Sequence, residues 1–174
     1  DTLAHVIRTL QDNLGPEQSN DPFFGSYATP PVLATLMAKG ALGQKAGAGF
    51  YKKVGKDILR YDPKADPATD GYVPGGGVAD EEVARILKKP PAERLRLLRE
   101  SSHPQAQFLW AVLRDGFHYS AVHLAEVADC ARDIDFAMRW GFGFSQGPFE
   151  LWQAAGWAQV TQWIQEDIAA GKAL

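Results

Sequence analysis

The stretch GQKAGAGFYKK at residues 43–53 places three glycines close to three lysines, a composition that could hold a phosphate group. A Walker loop needs four residues between its first glycine and a Gly-Lys-Ser/Thr, and a dinucleotide fingerprint needs G-x-G-x-x-G between a strand and a helix. Neither spacing is present, because Gly47 and Gly49 are followed by two aromatic residues. The pattern therefore favours glycines that permit positive φ and close backbone packing.

The residues after these glycines have a structural and a chemical interpretation. Phe50 and Tyr51 are expected to anchor the segment in the core, since aromatic side chains bury large areas. Lys45 remains a candidate for contact with an anionic ligand.

A second motif, GFSQG at residues 143–147, matches the G-x-S-x-G nucleophile elbow of hydrolases. That serine must sit on a sharp turn from a strand to a helix. The preceding segment DIDFAMRWG has helical character, so a hydrolase that uses Ser145 is the least favoured interpretation.

No metal site is predicted. His118 and His123 are five residues apart, whereas a one-face helical zinc pair is separated by four.

The carboxylates at helix starts and on polar faces are interpreted as caps or surface charge: Glu81, Glu82, Asp133, Asp135, Glu166 and Asp167. The second half is rich in aromatic residues, for which core or subunit contact is favoured over a ligand cage: Trp110, Trp140, Phe142, Phe144, Phe149, Trp152, Trp157 and Trp163.

Composition indicates an ordinary globular protein. The chain has 174 residues, 45% of them hydrophobic, with a net charge of −3 and scattered basic residues. There is no electrostatic footprint for nucleic acid or an anionic membrane, and no apolar run approaches the roughly 20 residues of a membrane span. Cys130 is the only cysteine, so we expect a reducing, cytoplasmic environment. The chain begins in a helical pattern without a methionine, which suggests a fragment of a longer protein.

Hydrophobic periodicity predicts a mainly α fold. At most a short β-hairpin is expected near 50–61, around Val54-Gly55-Lys56-Asp57. A segment rich in Pro, Gly and Asp at 63–78 is interpreted as a linker. Four predicted helices have both ends: 1–14, 31–39, the longest from Pro104 to about Ala128, and 133–140 ending at Gly141. Four others are predicted from their starts: one is capped by Asp80, one begins at Pro91, one begins at Pro148, and a terminal helix follows Gly156-Trp157. Leu3, Val6 and Ile7 in the first helix have the spacing of Val160, Trp163 and Ile164 in the last, a weak internal repeat.

Two stretches together resemble a known family. ALGQKAGAGFYKK is similar to the Leu-Gly-x-Lys-x-Gly-x-Gly-Phe-Tyr signature of the C-terminal helical domain of 3-hydroxyacyl-CoA dehydrogenases, with Gly43, Gly47, Gly49 and Phe50 as structural positions. DIDFAMRWGFGFSQGPFELW is similar to that domain's Asp-Ile-Asp and Gly-Pro-Phe signature, with Gly147, Pro148 and Phe149 as structural positions. The resemblance implies a helical domain of the 6-phosphogluconate-dehydrogenase-like type.

The resemblance also implies a domain organisation. Tandem C-terminal repeats are a feature of multifunctional enzymes of fatty-acid β-oxidation, often joined to an enoyl-CoA hydratase. By this resemblance, 1–62 is the C-terminal part of a first repeat, 63–78 a linker and 79–174 a second repeat. The second repeat is expected to take the place of a partner's C-terminal domain in the dimeric single-repeat enzymes, burying its aromatic surface.

The family's NAD site and its His–Glu catalytic pair belong to an N-terminal nucleotide-binding domain, so neither is assigned to this chain. The family's Asn-Arg pair would fall at Ala111-Val112, which indicates that the second repeat has lost its active-site role.

The resemblance implies that the parent oxidises 3-hydroxyacyl-CoA to 3-oxoacyl-CoA with NAD. The chain alone is expected to be inactive and to supply part of the acyl-CoA cleft, with Lys45 and Tyr51 as candidates. The alternative is a purely structural helical module without substrate contact.

Overall fold

The computed structural model describes residues 2–15, 17, 21–75 and 78–174, which divide into two units, Asp1–Gly77 and Val78–Leu174. The predicted mainly helical fold is confirmed, with seven α-helices and one small antiparallel sheet in the described ranges. The elements are α1 (Thr2–Leu14), α2 (Pro31–Ala38), β1 (Tyr51–Val54), β2 (Asp57–Tyr61), β3 (Tyr72–Pro74), α3 (Glu81–Leu87), α4 (Pro91–Glu100), α5 (Pro104–Val127), α6 (Ala131–Phe142) and α7 (Pro148–Ala169).

In the first unit, a small apolar cluster joins α1 to α2. Ala4 and Ile7, three residues apart on one helical face, pack with Leu33, and Met37 covers them. Pro31 opens α2 at a position where its missing N–H costs no hydrogen bond.

The predicted hairpin is confirmed and gains a third strand. Val54 pairs with Asp57, which leaves a two-residue turn in which Gly55 has φ +62°. The strand β3 then pairs antiparallel with β2 inside the segment that the sequence analysis interpreted as a linker. Its three residues are too few to show alternation, and the glycines and prolines around them signal a loop.

In the second unit, α5 packs against α4, α6 and α7, as expected for the longest helix. The core contains Leu95 and Leu98 of α4, Trp110 and Phe117 of α5, and Val160 of α7, all at most 2% exposed. Asp80 caps α3 as predicted, its carboxylate accepting from the Glu82 N–H at 3.0 Å.

Two glycines set helix boundaries in this unit. Helix α6 continues through Gly141 and ends at Phe142, because the left-handed cap is Gly143 at φ +70°; the predicted end at Gly141 was wrong. Within α7, Gly156 has φ +101° and ψ +90°, so the helix bends where the sequence predicted a new helix after Gly156-Trp157.

Candidate functional site

The first motif forms a tight loop held by backbone contacts. The Gly43 N–H donates to the carbonyl oxygen of Ala48 at 2.7 Å, and Gly47 has φ +76°. A Cβ on Gly49 would lie 2.8 Å from the Gly43 Cα, closer than two such atoms can approach. The glycines therefore allow two backbone segments to touch, and no helix follows that could present its N–H groups to a phosphate.

The residues expected to anchor this loop are in fact exposed. Phe50 is 41% exposed and Tyr51 is 69% exposed, so the prediction that these two residues anchor the loop in the core was wrong. The anchor is Tyr72 of β3, which is 5% exposed and donates its hydroxyl to the Gly49 carbonyl oxygen at 2.7 Å. The core of this unit lies between α1 and α2, whereas Phe50 and Tyr51 lie at the start of a surface sheet.

Tyr72→Phe is expected to loosen this loop by about 1–2 kcal/mol, because the buried Gly49 carbonyl loses its side-chain donor. Amide hydrogen exchange in residues 49–61 of the 174-residue chain measures the effect. Tyr51→Phe is the matched control, since its hydroxyl has no hydrogen-bond partner among the described residues. Equal exchange rates in the two variants would contradict the anchoring role.

The two candidate ligand-contacting residues lie on the surface of the first unit. Lys45 lies in the short 3₁₀ turn Gln44–Ala46 and forms no ion pair with a described residue. Tyr51 faces Arg60 across the sheet, and strand alternation places Lys53 and Ile58 on the same face. No hydrogen bond, ion pair or ring contact joins Lys45 to Tyr51 within the described residues. The sheet face around Tyr51 combines aromatic, apolar and cationic groups.

The second motif forms the junction between α6 and α7. Asp135 is 5% exposed and accepts the N–H of Phe149 at 2.8 Å and of Glu150 at 3.2 Å, two of the donors that a helix start leaves free. The Gly147 N–H donates to the Glu150 carboxylate at 2.9 Å, and Arg139 pairs with that same carboxylate. Burial raises the pKa of Asp135 despite the two N–H donors that favour its ionised form. The Asp-Ile-Asp and Gly-Pro-Phe residues thus build a capped helix start.

The hydrolase interpretation of GFSQG finds no support in this junction. Ser145 is exposed in a turn between two helices, and α6 occupies the position where the elbow needs a strand.

A buried charged network was missed in the sequence analysis. Asp167 was interpreted as a surface or capping charge, but it is 4% exposed and accepts the Trp110 indole N–H at 2.7 Å and the Arg114 Nη1–H at 3.1 Å. Asp135, predicted as a cap or a surface charge, does cap a helix, but the helix is α7 and the carboxylate is buried. Periodicity could have placed the network, because Val160, Ile164 and Asp167 share one helical face.

Opposing effects set the pKa of Asp167. Burial acts to raise it, but hydrogen bonds from Trp110 and Arg114 and the charges of Arg99 and Arg114 outweigh burial. The pKa of Asp167 therefore lies below its ordinary value. Burial acts to lower the pKa of Arg114, and its pairs with Asp115 and Asp167 raise it overall, so the ion pair is charged at neutral pH.

The described residues do not fit a dinucleotide. They contain no strand, glycine-rich turn and helix in succession, and their sheet is antiparallel, so no residue is assigned to NAD. No cluster of three or more His, Cys, Asp or Glu suited to a metal occurs in the described ranges. None of the helices there has both the length and the apolar character that crossing a membrane requires.

Comparison with known proteins relates the chain to two longer ones. No family model and no solved structure matches it. A probable 3-hydroxyacyl-CoA dehydrogenase of Bacillus subtilis is 34% identical across 95% of this chain, and the match covers 20% of that protein. A putative fatty acid oxidation complex trifunctional enzyme of Rickettsia felis is 25% identical across 92% of this chain and 22% of that protein. The chain thus spans about one fifth of the length of these curated relatives. The resemblance to the 3-hydroxyacyl-CoA dehydrogenases is therefore confirmed, and over nearly its whole length the chain is a homologue of one segment of these longer proteins.

Proposed function

We propose that this chain is the C-terminal helical region of an NAD-dependent 3-hydroxyacyl-CoA dehydrogenase that acts in fatty-acid β-oxidation. The observation that carries the proposal is the match across 95% of the chain to a fifth of a protein named for that activity. Both motif segments support it, because each forms a tight junction that its glycines make possible.

The reaction oxidises the 3-hydroxyl of an acyl-CoA to a ketone, and NAD accepts the hydride in the nucleotide-binding domain of the longer protein. This chain contributes a wall of the cleft that holds the acyl-CoA, since ligand sites favour domain interfaces. Exposed Lys45 supplies a positive charge for an anionic group of the substrate, and exposed Tyr51 supplies an aromatic surface.

Residues 1–62 are proposed to be the C-terminal part of a first repeat and residues 79–174 a second repeat, so that α1 and α7 are corresponding helices. Leu3 of α1 is 48% exposed, whereas Val160, the corresponding residue of α7, is fully buried. Helices α4 and α5 cover α7, and we infer that residues of the longer protein outside this chain cover the apolar face of α1 in the same way.

The second unit has an apolar surface that fits this assembly. Trp140, Phe142 and Phe144 at the end of α6 are 78%, 73% and 51% exposed. Large exposed aromatic groups are typical of contact surfaces. We infer that this surface is buried inside the longer protein, as a partner subunit would bury it in a single-repeat dimer.

The isolated chain is expected to show no dehydrogenase activity, because the described residues offer no dinucleotide site. The measurement is NADH oxidation with acetoacetyl-CoA by the purified 174-residue chain, with the longer protein as the positive control. Turnover by the isolated chain would contradict the proposed division of roles.

In the longer protein, Lys45→Met is expected to raise the KM for acetoacetyl-CoA about tenfold and to leave kcat nearly unchanged. The reason is that the bound substrate and the transition state would lose the same interaction with Lys45. The matched control is Lys56→Met in the hairpin turn. An unchanged KM in a folded variant would favour the purely structural module. Protection of Lys45 from acetylation by acyl-CoA would argue against that alternative.

A further inference from the structure

The second unit contains an open cavity of about 450 Å³ between α4, α5 and the end of α7. Its polar lining residues are Arg99, Gln107, Arg114, Asp167 and Lys172, with Ala111 on one wall. A volume of this size is typical of small-molecule sites.

The side chains that line this cavity carry three positive charges and one negative charge. Three cations face one carboxylate, and both oxygens of Asp167 already have donors, from Trp110 and Arg114 on one and from Arg99 on the other. Two further carboxylates balance the arginines from outside the lining: Glu166 accepts from Arg99, and Asp115 accepts from Arg114. Both are about half exposed, so solvent screens their charge more than that of buried groups.

The cations keep donors available for a ligand. Lys172 forms no ion pair within the described residues, so its ammonium has no protein partner there. The Arg99 guanidinium lies 5.6 Å from the centre of the Trp163 ring, and its known hydrogen bonds use Nη2 only. The known hydrogen bonds of Arg114 use its Nε and Nη1 only. Two guanidinium groups held in place beside a free ammonium are the donor set that recognises phosphate oxygens.

We propose that this cavity binds a phosphate group carried by a small molecule. A phosphate monoester has a charge of about −1.5 to −2 at neutral pH and three strong acceptor oxygens, which suit the Lys172 ammonium and the unused N–H donors of the two guanidinium groups. The volume exceeds that of inorganic phosphate and leaves room for an organic substituent. The site lies within the second unit and does not depend on the proposed dehydrogenase function.

Isothermal titration calorimetry of the 174-residue chain, at low ionic strength in a buffer without phosphate, tests this proposal. Glycerol 3-phosphate is expected to bind, and inorganic phosphate to bind more weakly. Equal affinity for the two probes would identify free phosphate as the ligand and would overturn the proposal that the cavity binds a phosphate ester. Absence of binding by both probes, or equal competition by chloride at the same ionic strength, would overturn the site.

Two variants test the location of the site. Lys172→Met is expected to weaken binding about fivefold, the effect of one exposed charge, and Ala111→Asp to weaken it more than tenfold by placing a carboxylate in the cavity. Lys88→Met is the matched control, because it removes an exposed lysine of the same unit that does not line the cavity. Tryptophan fluorescence verifies folding, and unchanged affinity in Lys172→Met would overturn the assignment even if Ala111→Asp failed to fold.

Discussion

Replacing Gly147 with alanine is expected to lower the free energy of unfolding of the second unit by about 2–4 kcal/mol. The new Cβ would lie 2.3 Å from the Cα and 2.2 Å from the Oδ1 of Asp135. Because one of these atoms belongs to the backbone, a side-chain rotation cannot relieve the clash. The α6–α7 junction must open, and Asp135 then loses the Phe149 and Glu150 N–H donors that it caps.

Urea unfolding followed by tryptophan fluorescence measures this effect selectively, since all five tryptophans lie between residues 110 and 163. Gly116→Ala is the matched control, because it adds the same methyl group inside α5, where a Cβ meets no atom within 4 Å. Alanine is the better helix former, so this control is expected to be neutral or stabilising by up to about 1 kcal/mol. A loss of stability in Gly147→Ala no larger than in Gly116→Ala would refute the close-contact explanation.

Much of the fold could be predicted from local signals. The long α5 follows from apolar residues at helical spacing, and the β1–β2 hairpin from the Gly55 turn between two short stretches. The strand β3 could not be predicted, because Tyr72–Pro74 becomes a strand only through pairing with β2. Tertiary context overrides a local loop signal there.

The candidate sites follow the same division. The glycine spacing at 43–49 excluded a phosphate loop, and the structure gives the glycines the backbone role that the spacing predicted. Tyr72, which anchors that loop, lies 23 residues from Gly49, so no local pattern connects them. Asp135 and Asp167 were interpreted as helix caps or surface charges, because acidic residues are seldom buried. Their burial depends on donors from distant elements: helix N–H groups for Asp135, and Trp110 and Arg114 for Asp167.

Asp167→Ala is expected to destabilise the second unit by about 3–5 kcal/mol, because the buried Arg114 loses its buried partner and keeps only the half-exposed Asp115. The side chains of Arg114 and Asp167 are each 6% exposed, and the Trp110 indole N–H also loses its acceptor. Asp115→Ala is the matched control, since Asp115 pairs with the same arginine but is 54% exposed. It is expected to cost less than about 1 kcal/mol.

The pH dependence separates the charge of Asp167 from its volume. Its pKa is lower in the folded chain than the ordinary value of about 3.9, so the stability that its ionised form contributes is fully present above that value. That contribution is lost as the pH falls through the folded pKa, because both states then bind the proton. Asp167→Asn keeps the size of the side chain but cannot titrate there, so its free energy of unfolding should fall less steeply below about pH 4 than that of the unaltered chain. Urea midpoints followed by tryptophan fluorescence across the acid range measure both slopes, and parallel slopes would mean that Asp167 does not supply the ionised group of this network.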